Sequence, residues 1–450
     1  MKLHRALELT RGAVVAFVGA GGKTSALVRL GYELADMGWR VLATTTTRIG
    51  QDQLPFFPQH LPYDINTDKL SALLNEQRFV FLRAEVRAGK VYGPPLDWFP
   101  RLLDSSDSDV LLIEADGARG LPLKAPYGHE PVIPAETSLV VPVASMAVLG
   151  QPLDEKHVYN ASAIIEHFGF VEGSRVKSPW VAQVLRDEAL GLRGVPPKAR
   201  VTALLNSTPA SGYVRGRARL TARLILRQPR VHSVALGSVR ASDPVYEVQR
   251  NVGAVVLAAG MSKRMGQMKV LMPWADGKPI IEHILEQLLL AHVDHICVVT
   301  GNRALDVAAC AGKIGAETVF NPDYASSEML SSLKIGLRAM PAHIAAALVV
   351  LGDQPRLQPK IVTQVVTAYA EGLGEIIAPS YLMRRGHPIL IDRRYWQEIL
   401  ALPEDGAPRD VINAHADRVA YVNVDNDSVL TDVDTPQDYQ RERGKAGLKD

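Results

Sequence analysis

An apolar run in the second half of the chain ends at a glycine, and a loop of small residues and cations follows it. The stretch from 255 to 269 reads VVLAAGMSKRMGQMK. Its glycines let backbone N–H groups approach an anion, and the cations Lys263, Arg264 and Lys269 can neutralise a triphosphate. No Gly-Lys-Ser/Thr ending follows, so this is not a Walker loop. The pattern predicts a strand that opens onto a polyphosphate site; an ordinary turn with solvated lysines is the alternative.

From position 252 onward, short apolar runs alternate with stretches of helical period. This alternation predicts a Rossmann-like α/β domain with a mainly parallel sheet and with ligands at the carboxyl ends of its strands. The run 349–351 continues into Gly-Asp-Gln-Pro, which places Asp353 on the same rim as the loop. A carboxylate there can hold Mg²⁺ between the nucleotide α-phosphate and the leaving pyrophosphate; capping of the turn before Pro355 is the alternative. Strands are expected at 252–258, 294–300, 316–320, 346–351 and 376–379.

Further polar residues fit the same rim. Ser331 and Ser332 stand where a helix is expected to begin, and there they can bind phosphate, although capping is the commoner role. Arg384, Arg385 and His387 precede an apolar run and suit an anionic second substrate. We expect His387 to bind substrate through hydrogen bonds rather than to act as an acid or base. The predicted second-substrate residues are Ser331, Ser332, Arg385 and His387.

Two carboxylates, Asp432 and Asp434, stand before Thr435 and Pro436 near the end of the sequence. Thr435 and Pro436 predict the N-cap and the first turn of a helix, a structural role that would account for the motif without any ligand. If the motif binds a metal ion, we expect only one of the two carboxylates to reach it.

Four motifs of the second half together resemble the MobA/MocA type of nucleotidyltransferase. They are LAAGxSxRMGxxK from 257, GDQP at 352–355, RGHPIL at 385–390 and DxDTP at 432–436. Guanylyl enzymes usually carry glycine where this chain has Ala259, which resembles the cytidylyl branch, the molybdenum cofactor cytidylyltransferases. The resemblance covers 252 to 440 and implies CTP and molybdopterin as substrates and Mg²⁺ as cofactor. It implies metal binding by Asp353 and Asp434 with Asp432 as the alternative, catalytic roles for Arg264, Lys269 and Asp353, and nucleotide binding by Leu257, Ala258, Ala259, Gly260, Ser262, Lys263 and Gly266.

A second glycine-rich loop lies near the start of the chain, after the apolar run 13–18. From position 19 it reads GAGGKT. The loop has the GKT ending of a P-loop, but Phe17 stands in place of the first glycine, and Thr24 stands where a dinucleotide fingerprint needs its last one. Amide groups at a helix start, Lys23 and Thr24 can nevertheless hold phosphate and Mg²⁺; a turn without a ligand is the alternative.

The segment 109–113 is apolar from position 110 onward and is followed by Glu114 and Asp116. It resembles the acidic strand end of P-loop NTPases, where a carboxylate holds Mg²⁺ directly or through water. A turn or a helix cap is the alternative. Together the two segments predict a P-loop-like α/β domain. Its nucleotide site is expected to consist of Gly19, Gly21, Gly22, Lys23, Thr24, Glu114 and Asp116.

About residues 1 to 240 resemble the YqeC family. The matching motifs are VGAGGKT at 18–24, TTTT at 44–47, EADGA at 114–118, KAP at 124–126 and HEPVIP at 129–134. The family is associated with selenium-dependent molybdenum hydroxylases. The resemblance therefore implies a nucleotide-dependent accessory domain, with a molybdenum hydroxylase as a candidate client.

The composition is that of an ordinary globular protein: 450 residues, 47% hydrophobic and 22% charged. We expect two domains, 1–245 and 246–450, because a polar stretch at 237–251 separates the two patterns. A net charge of +2 gives no argument for binding to nucleic acid or to a membrane. No apolar run approaches the length of a membrane span. We expect a cytoplasmic protein with no cleaved N-terminal segment.

These inferences combine into one main hypothesis, a Mg²⁺-dependent transfer of CMP from CTP to molybdopterin with release of pyrophosphate, fused to an accessory nucleotide-binding domain. The terminal phosphate of the pterin is already largely dianionic at neutral pH, so it can attack without a general base. Two alternatives stay open. One is a nucleotidyltransferase for another phosphorylated acceptor such as a sugar phosphate, with GTP or another nucleotide. The other is a nucleotide-switched chaperone that carries cofactor to a hydroxylase.

Overall fold

The computed structural model describes residues 1–326 and 329–448, apart from the side chains at 104 and 105. The chain divides into two compact units, Met1–Gln249 and Arg250–Asp450. Each unit is an α/β fold built on its own large sheet, which confirms the predicted fold class. Within the described part of the chain, no helix combines the length and the apolar character that a bilayer crossing requires.

The first unit is built on a mostly parallel sheet with a small antiparallel sheet beside it. Its helices are α1 (Leu3–Ala6), α2 (Lys23–Asp36), α3 (Thr67–Gln77), α4 (Phe99–Ser105), α5 (Ala161–Phe168), α6 (Ser178–Arg186) and α7 (Tyr213–Ile225). Its strands are β1 (Ala13–Gly19), β2 (Val41–Thr45), β3 (Arg48–Gly50), β4 (His60–Pro62), β5 (Phe79–Arg83), β6 (Val86–Arg87), β7 (Lys90–Tyr92), β8 (Val110–Glu114), β9 (Leu139–Ser145), β10 (Arg200–Asn206), β11 (Ser233–Gly237) and β12 (Val245–Gln249).

The order of strands in the main sheet is β12-β11-β10-β9-β1-β8-β2-β5-β4, and β3, β7 and β6 form the small sheet. The pairings in the main sheet are parallel except for β11 with β12. Because β12 belongs to this sheet, the first compact unit extends to Gln249. The register sets Phe17 opposite Glu114 and Gly19 opposite Val143, so the glycine loop and the acidic strand end meet at one edge.

Strand β1 is buried on both faces, which fixes the loop that follows it. Leu27, Leu30 and Leu34 of α2 recur at intervals of three and four, are at most 1% exposed and pack in one cluster with Phe17. Val14 points to the opposite face and packs in the cluster that contains residues of α3. Each of these leucines contributes about 1.5–3 kcal/mol to stability through its burial.

The second unit is built on a mixed sheet with helices on both faces. Its helices are α8 (Ile280–Leu290), α9 (Ala304–Ile314), α10 (Met329–Ala339), α11 (Pro359–Ala370), α12 (Trp396–Ala401), α13 (Pro408–Ala414) and α14 (Pro436–Lys445). Its strands are β13 (Val252–Ala258), β14 (His295–Thr300), β15 (Glu317–Phe320), β16 (Ala346–Leu351), β17 (Ile376–Tyr381), β18 (Arg384–Arg385), β19 (Ile389–Asp392) and β20 (Val419–Asn423).

The sheet order is β15-β14-β13-β16-β19-β17-β18, with β20 also paired to β17. The four strands from β15 to β16 are parallel, whereas β19 runs antiparallel to both of its neighbours. Leu257 lies opposite Leu351, so the loop after β13 and the turn after β16 lie side by side. The carboxyl ends of parallel strands thus place the predicted phosphate loop next to Asp353.

Helix α10 packs unusually close to this sheet. A Cβ at Gly336 would lie 2.3 Å from Cγ1 of Val255, so only glycine fits at this position without movement of β13. Val255 packs in the cluster that includes α10, and Val256 packs in the cluster on the opposite face. The last helix, α14, begins as predicted with Thr435 as its N-cap, whose hydroxyl accepts the N–H of Asp438 at 3.2 Å.

Candidate functional site

A pocket of about 340 Å³ lies in the second unit at the carboxyl ends of β13 and β16. Its size is within the range of sites for small ligands. The structure brings part of the predicted site together in its lining, namely residues 257–260, Ser262, Lys269, Ser332 and Asp353. Asp432, the alternative metal ligand, also lines the pocket. The other predicted residues of this unit do not line it: Lys263, Arg264, Gly266, Ser331, Arg385, His387 and Asp434.

The loop after β13 is anchored by buried side chains and exposes its cations. Met265 and Met268 are buried, while Lys263, Arg264 and Gly266 are exposed. The backbone has a positive φ at Ser262 and at Gly266. The hydroxyl of Ser262 accepts the N–H of Lys269 at 3.1 Å, and this bond closes the loop. The methionines therefore hold the loop in place while Lys263 and Arg264 are exposed to solvent.

Lys269 lies between two carboxylates at the mouth of the pocket. Its Nζ is 2.5 Å from Oδ2 of Asp353 and 3.2 Å from Oδ1 of Asp434. Arg264 pairs with the other oxygen of Asp434 at 2.9 Å. Burial would lower the pKa of Lys269, but the two carboxylates outweigh it and raise that pKa above its ordinary value. The lysine is therefore charged at neutral pH.

Asp432 belongs to the same cluster. Its Oδ1 accepts a hydrogen bond of 2.7 Å from Nε2 of Gln354, and burial together with Asp353 and Asp434 raises its pKa. The N–H of Val433 donates to the carbonyl of Asp353 at 2.9 Å. Because this bond fixes the residue between them, Asp432 and Asp434 both lie near Asp353. The structure thus brings both carboxylates close to Asp353, and the expectation that only one of them reaches a metal ion stays a prediction.

These carboxylates fit the requirements of a magnesium ion. Among the described residues, no group of three or more histidine, cysteine or acidic side chains forms a ready-made metal cage. Mg²⁺ rarely uses such cages, since it keeps several waters and takes one or two carboxylates together with substrate phosphates. Asp353 and Asp434 already share one cation, the Lys269 ammonium. The same pair of oxygens is suited to a divalent ion.

Among the remaining predicted residues, His387 lies near Asp353 and Ser332 lines the pocket. Burial lowers the pKa of His387 to about 4, Asp353 opposes this shift and Arg385 adds to it. His387 is therefore neutral at pH 7, which suits a hydrogen-bonding role. Ser332 is buried, and its hydroxyl accepts from Nδ2 of Asn321 at 3.0 Å, so it has a structural partner in the pocket wall.

His387 makes the stability of the second unit depend on pH. Its pKa is about 4 in the folded chain and 6.5 as the ordinary value, so between these limits the unfolded chain binds the extra proton. Stability due to this residue is therefore present above pH 6.5 and decreases as the pH falls to 4, by up to about 3 kcal/mol. Urea denaturation of wild type and His387→Gln should show the wild type losing stability relative to the variant over this window. The exposed His343 provides the control, because His343→Gln should keep the wild-type pH dependence; parallel curves for wild type and His387→Gln would contradict the assignment.

The first unit gathers all the residues predicted for its own site. Lys23 is 4% exposed, and its Nζ donates to the carbonyl of Gly19 at 2.7 Å and lies 3.1 Å from Oδ1 of Asp116 and 3.8 Å from Oε1 of Glu114. The hydroxyl of Thr24 donates to Oε2 of Glu114 at 2.7 Å. Burial would lower the pKa of Lys23, but the carboxylates outweigh it and raise that pKa. Burial raises the pKa of Glu114.

Asn206 at the end of β10 holds the glycine loop. Its Nδ2 donates to the carbonyl of Gly21 at 2.8 Å, and its Oδ1 accepts from the N–H of Val239 at 3.1 Å. Gly22 has a φ of +128°, and a Cβ there would lie 2.2 Å from Nδ2 of Asn206. The loop conformation therefore requires glycine at position 22 for both backbone and steric reasons.

Lys124 and Glu130 complete this cluster, although the sequence marked them only as family motifs. Nζ of Lys124 is 2.7 Å from Oε2 of Glu130 and 3.1 Å from Oδ2 of Asp116, and its side chain is 1% exposed. A small cavity of about 20 Å³ adjoins Gly19, Asp116 and Lys124. This volume is about that of one water molecule. Lys23, Asp116 and Lys124 are at most 4% exposed, so the protein itself covers these charged groups.

The fold and the lysine–carboxylate rim of the second unit define the nucleotidyltransferase class. A model of the MobA-like NTP transferase domain matches residues 254–419, and a model of the YqeC protein matches residues 15–162. The chain thus belongs to the YqeC family through its first unit and carries a MobA-like NTP transferase domain in its second, which confirms both resemblances.

Three relatives give the extent of the similarity. The uncharacterized protein YqeC of Escherichia coli K12 is 33% identical over 201 residues, covering 44% of this chain and 76% of that protein. The molybdenum cofactor cytidylyltransferase of the same organism is 28% identical over 189 residues, which cover 42% of this chain and 93% of that protein. The nicotine blue oxidoreductase of Paenarthrobacter nicotinovorans is 31% identical over 199 residues, which cover 42% of this chain and 95% of that protein.

Proposed function

We propose that the second unit transfers CMP from CTP to molybdopterin and releases pyrophosphate, with Mg²⁺ as cofactor. The observation that carries the proposal is the cluster of Lys269, Asp353 and Asp434 beside the loop after β13. It combines a cation for the triphosphate with two carboxylates for a metal ion. The similarity to a relative named molybdenum cofactor cytidylyltransferase supports the choice of nucleotide and acceptor.

In this reaction the protein positions its substrates and neutralises charge. A terminal phosphate oxygen of the pterin forms a bond to the α-phosphorus of CTP, and the bond from that phosphorus to the bridging oxygen breaks, so that pyrophosphate leaves with the electron pair. Mg²⁺ held by Asp353 and Asp434 would neutralise the charge that develops on the pyrophosphate. Arg264 and Lys269 hold the phosphates. To reach them, the ammonium group of Lys269 has to leave its carboxylate partners Asp353 and Asp434.

The neighbouring residues orient the acceptor. His387 is neutral at pH 7. It can therefore form a hydrogen bond with the pterin without repelling a nearby cation or attracting bulk water. Arg385 supplies a positive charge for the pterin phosphate, and no residue has to remove a proton from it. For the first unit we propose an accessory nucleotide-binding role at Gly19–Thr24. A cytoplasmic location and a molybdenum hydroxylase as client complete the proposal.

The test is pyrophosphate release by the purified full chain with molybdopterin and Mg²⁺, with CTP, GTP, ATP and UTP in parallel. Release with CTP, lost in Asp353→Ala and kept in Lys23→Ala, is the expected result. Release with another nucleotide would replace CTP in the proposal, and release with a sugar phosphate but not with molybdopterin would replace the acceptor.

Oxidoreductase chemistry is the second candidate, because a relative with that name is similar over nearly its full length. A redox reaction has no leaving pyrophosphate and gives no role to two carboxylates that share a cation. Absence of pyrophosphate with all four nucleotides, together with redox turnover of nicotine blue, would favour this candidate over the transferase. Bound cofactor without either reaction would favour a chaperone.

A further inference from the structure

The glycine loop of the first unit is occupied from within by a carboxylate. Oδ2 of Asp116 accepts the N–H of Gly19 at 2.9 Å, and Oδ1 lies 3.1 Å from Nζ of Lys23. A backbone N–H at a strand end and a loop lysine are the contacts that phosphate oxygens take in a phosphate-binding loop. Asp116 therefore occupies the position of an anionic ligand.

The second carboxylate of the strand end has different surroundings. Oε2 of Glu114 accepts from the hydroxyl of Thr24 at 2.7 Å, and Oε1 is 3.8 Å from Lys23. A hydroxyl and a carboxylate oxygen so close together are the kind of oxygen ligands that a hard divalent cation uses. Glu114 and Asp116 thus face two different parts of the same loop.

The charges of this cluster oppose the binding of a bare nucleotide. Lys23 and Lys124 face three carboxylates, Glu114, Asp116 and Glu130, so the fully ionised cluster has a net charge of −1. A triphosphate adds several further negative charges in a buried site. Binding therefore requires that a divalent cation enters and that Asp116 gives up the phosphate position.

The carboxylate of Asp116 has a second cationic partner, Lys124, which it can keep when it is displaced. Strand β8 ends at Glu114, so Asp116 lies in the loop beyond the ladder of the sheet. Its Oδ2 is already 3.1 Å from Nζ of Lys124. The displaced carboxylate can therefore keep one ammonium partner while Gly19 and Lys23 turn to a phosphate.

We propose that Asp116 competes internally for the phosphate position and that Thr24 and Glu114 hold a divalent cation, so that a nucleoside triphosphate binds the first unit only as its cation complex and by displacing Asp116. The inference rests on the proposed nucleotide site in this unit and assigns opposite roles to its two carboxylates. Removing the charge of Asp116 should strengthen binding, whereas removing that of Glu114 should weaken it.

The experiment titrates the full chain with fluorescent ATP and GTP analogues, with and without Mg²⁺. All proteins in this experiment also carry Lys269→Met and Asp353→Ala, which impair the site of the second unit. Binding at the first unit is the binding that is lost when Lys23→Met is added to these two substitutions. Asp116→Asn should tighten Mg²⁺-nucleotide binding roughly tenfold, the equivalent of about 1.4 kcal/mol. Glu114→Gln should weaken it by a similar factor and reduce the difference between the titrations with and without Mg²⁺.

Both variants keep each lysine next to a carboxylate: Lys23 retains one of Glu114 and Asp116, and Lys124 retains Glu130. Asp116→Ser is a second neutral variant and should act in the same direction as Asp116→Asn. Binding that is unchanged or weaker in both Asp116 variants would overturn the internal competition, and an unchanged Mg²⁺ requirement in Glu114→Gln would overturn the cation site. No Lys23-dependent binding in any of these proteins would instead refute the nucleotide site itself.

Discussion

Asp353→Ala is expected to lower kcat/KM for acceptor-dependent pyrophosphate release by roughly 10²- to 10³-fold. Asp353 would be one of the carboxylates that hold the metal ion, which neutralises the charge on the leaving pyrophosphate. The fold should survive, because Lys269 keeps Asp434 as a partner at 3.2 Å. Steady-state release of pyrophosphate over a range of Mg²⁺ concentrations measures the effect.

Asp306→Ala is the matched control for this substitution. Asp306 is also an aspartate of the second unit with a cationic partner, Arg303 at 2.7 Å, but it lies on α9 outside the pocket lining. Its removal should change kcat/KM by less than about twofold, because exposed pairs contribute little. Equal losses in the two variants, or full activity in Asp353→Ala, would remove Asp353 from the reaction.

Lys269→Met is expected to have two effects of opposite sign. Activity should fall by roughly 10²-fold or more, since the cation that neutralises the triphosphate is lost. Binding of a divalent ion to the nucleotide-free protein should become stronger, because the ammonium no longer occupies the space between Asp353 and Asp434. Mn²⁺ titration by calorimetry measures the second effect, and pyrophosphate release measures the first.

Lys278→Met is the control for the lysine. Lys278 pairs with Glu286 at 2.6 Å on the surface of the same unit and does not line the pocket. Its replacement should leave both measurements unchanged. Weaker Mn²⁺ binding in Lys269→Met would contradict the account, since it would mean that the lysine organises the carboxylates rather than competes for them.

Much of the fold follows from local patterns in the sequence. The five strands predicted in the second half are found at Val252–Ala258, His295–Thr300, Glu317–Phe320, Ala346–Leu351 and Ile376–Tyr381. Most of them are apolar runs bounded by polar or turn residues. The exception is β15, an edge strand with the mixed sequence Glu-Thr-Val-Phe. The antiparallel insertion of β19 between β16 and β17 was not predictable. The three apolar residues Ile389 to Ile391 indicate a strand, but not its direction or its neighbours.

Some features of the two candidate sites follow from the sequence, and others do not. The rim that brings Asp353 to the loop follows from the strand ends, since ligands collect at the carboxyl ends of parallel strands. The pairing of Lys269 with Asp353 and Asp434 joins residues 84 and 165 positions apart, and no local pattern encodes such a contact. The different surroundings of Glu114 and Asp116 depend on the residue at which β8 ends. The ends of strands and helices are the features that sequence patterns locate least well.

The most direct test of the central claim follows the α-phosphate itself. Full-length protein is incubated with Mg²⁺, molybdopterin and CTP labelled at the α-phosphorus, and the products are separated. We predict that the label moves to the pterin with one pyrophosphate for each label transferred, and that Asp353→Ala slows the transfer by roughly 10²- to 10³-fold. Pyrophosphate formed without a labelled pterin, or no loss of label from CTP, would contradict the assignment of the second unit as the cytidylyltransferase.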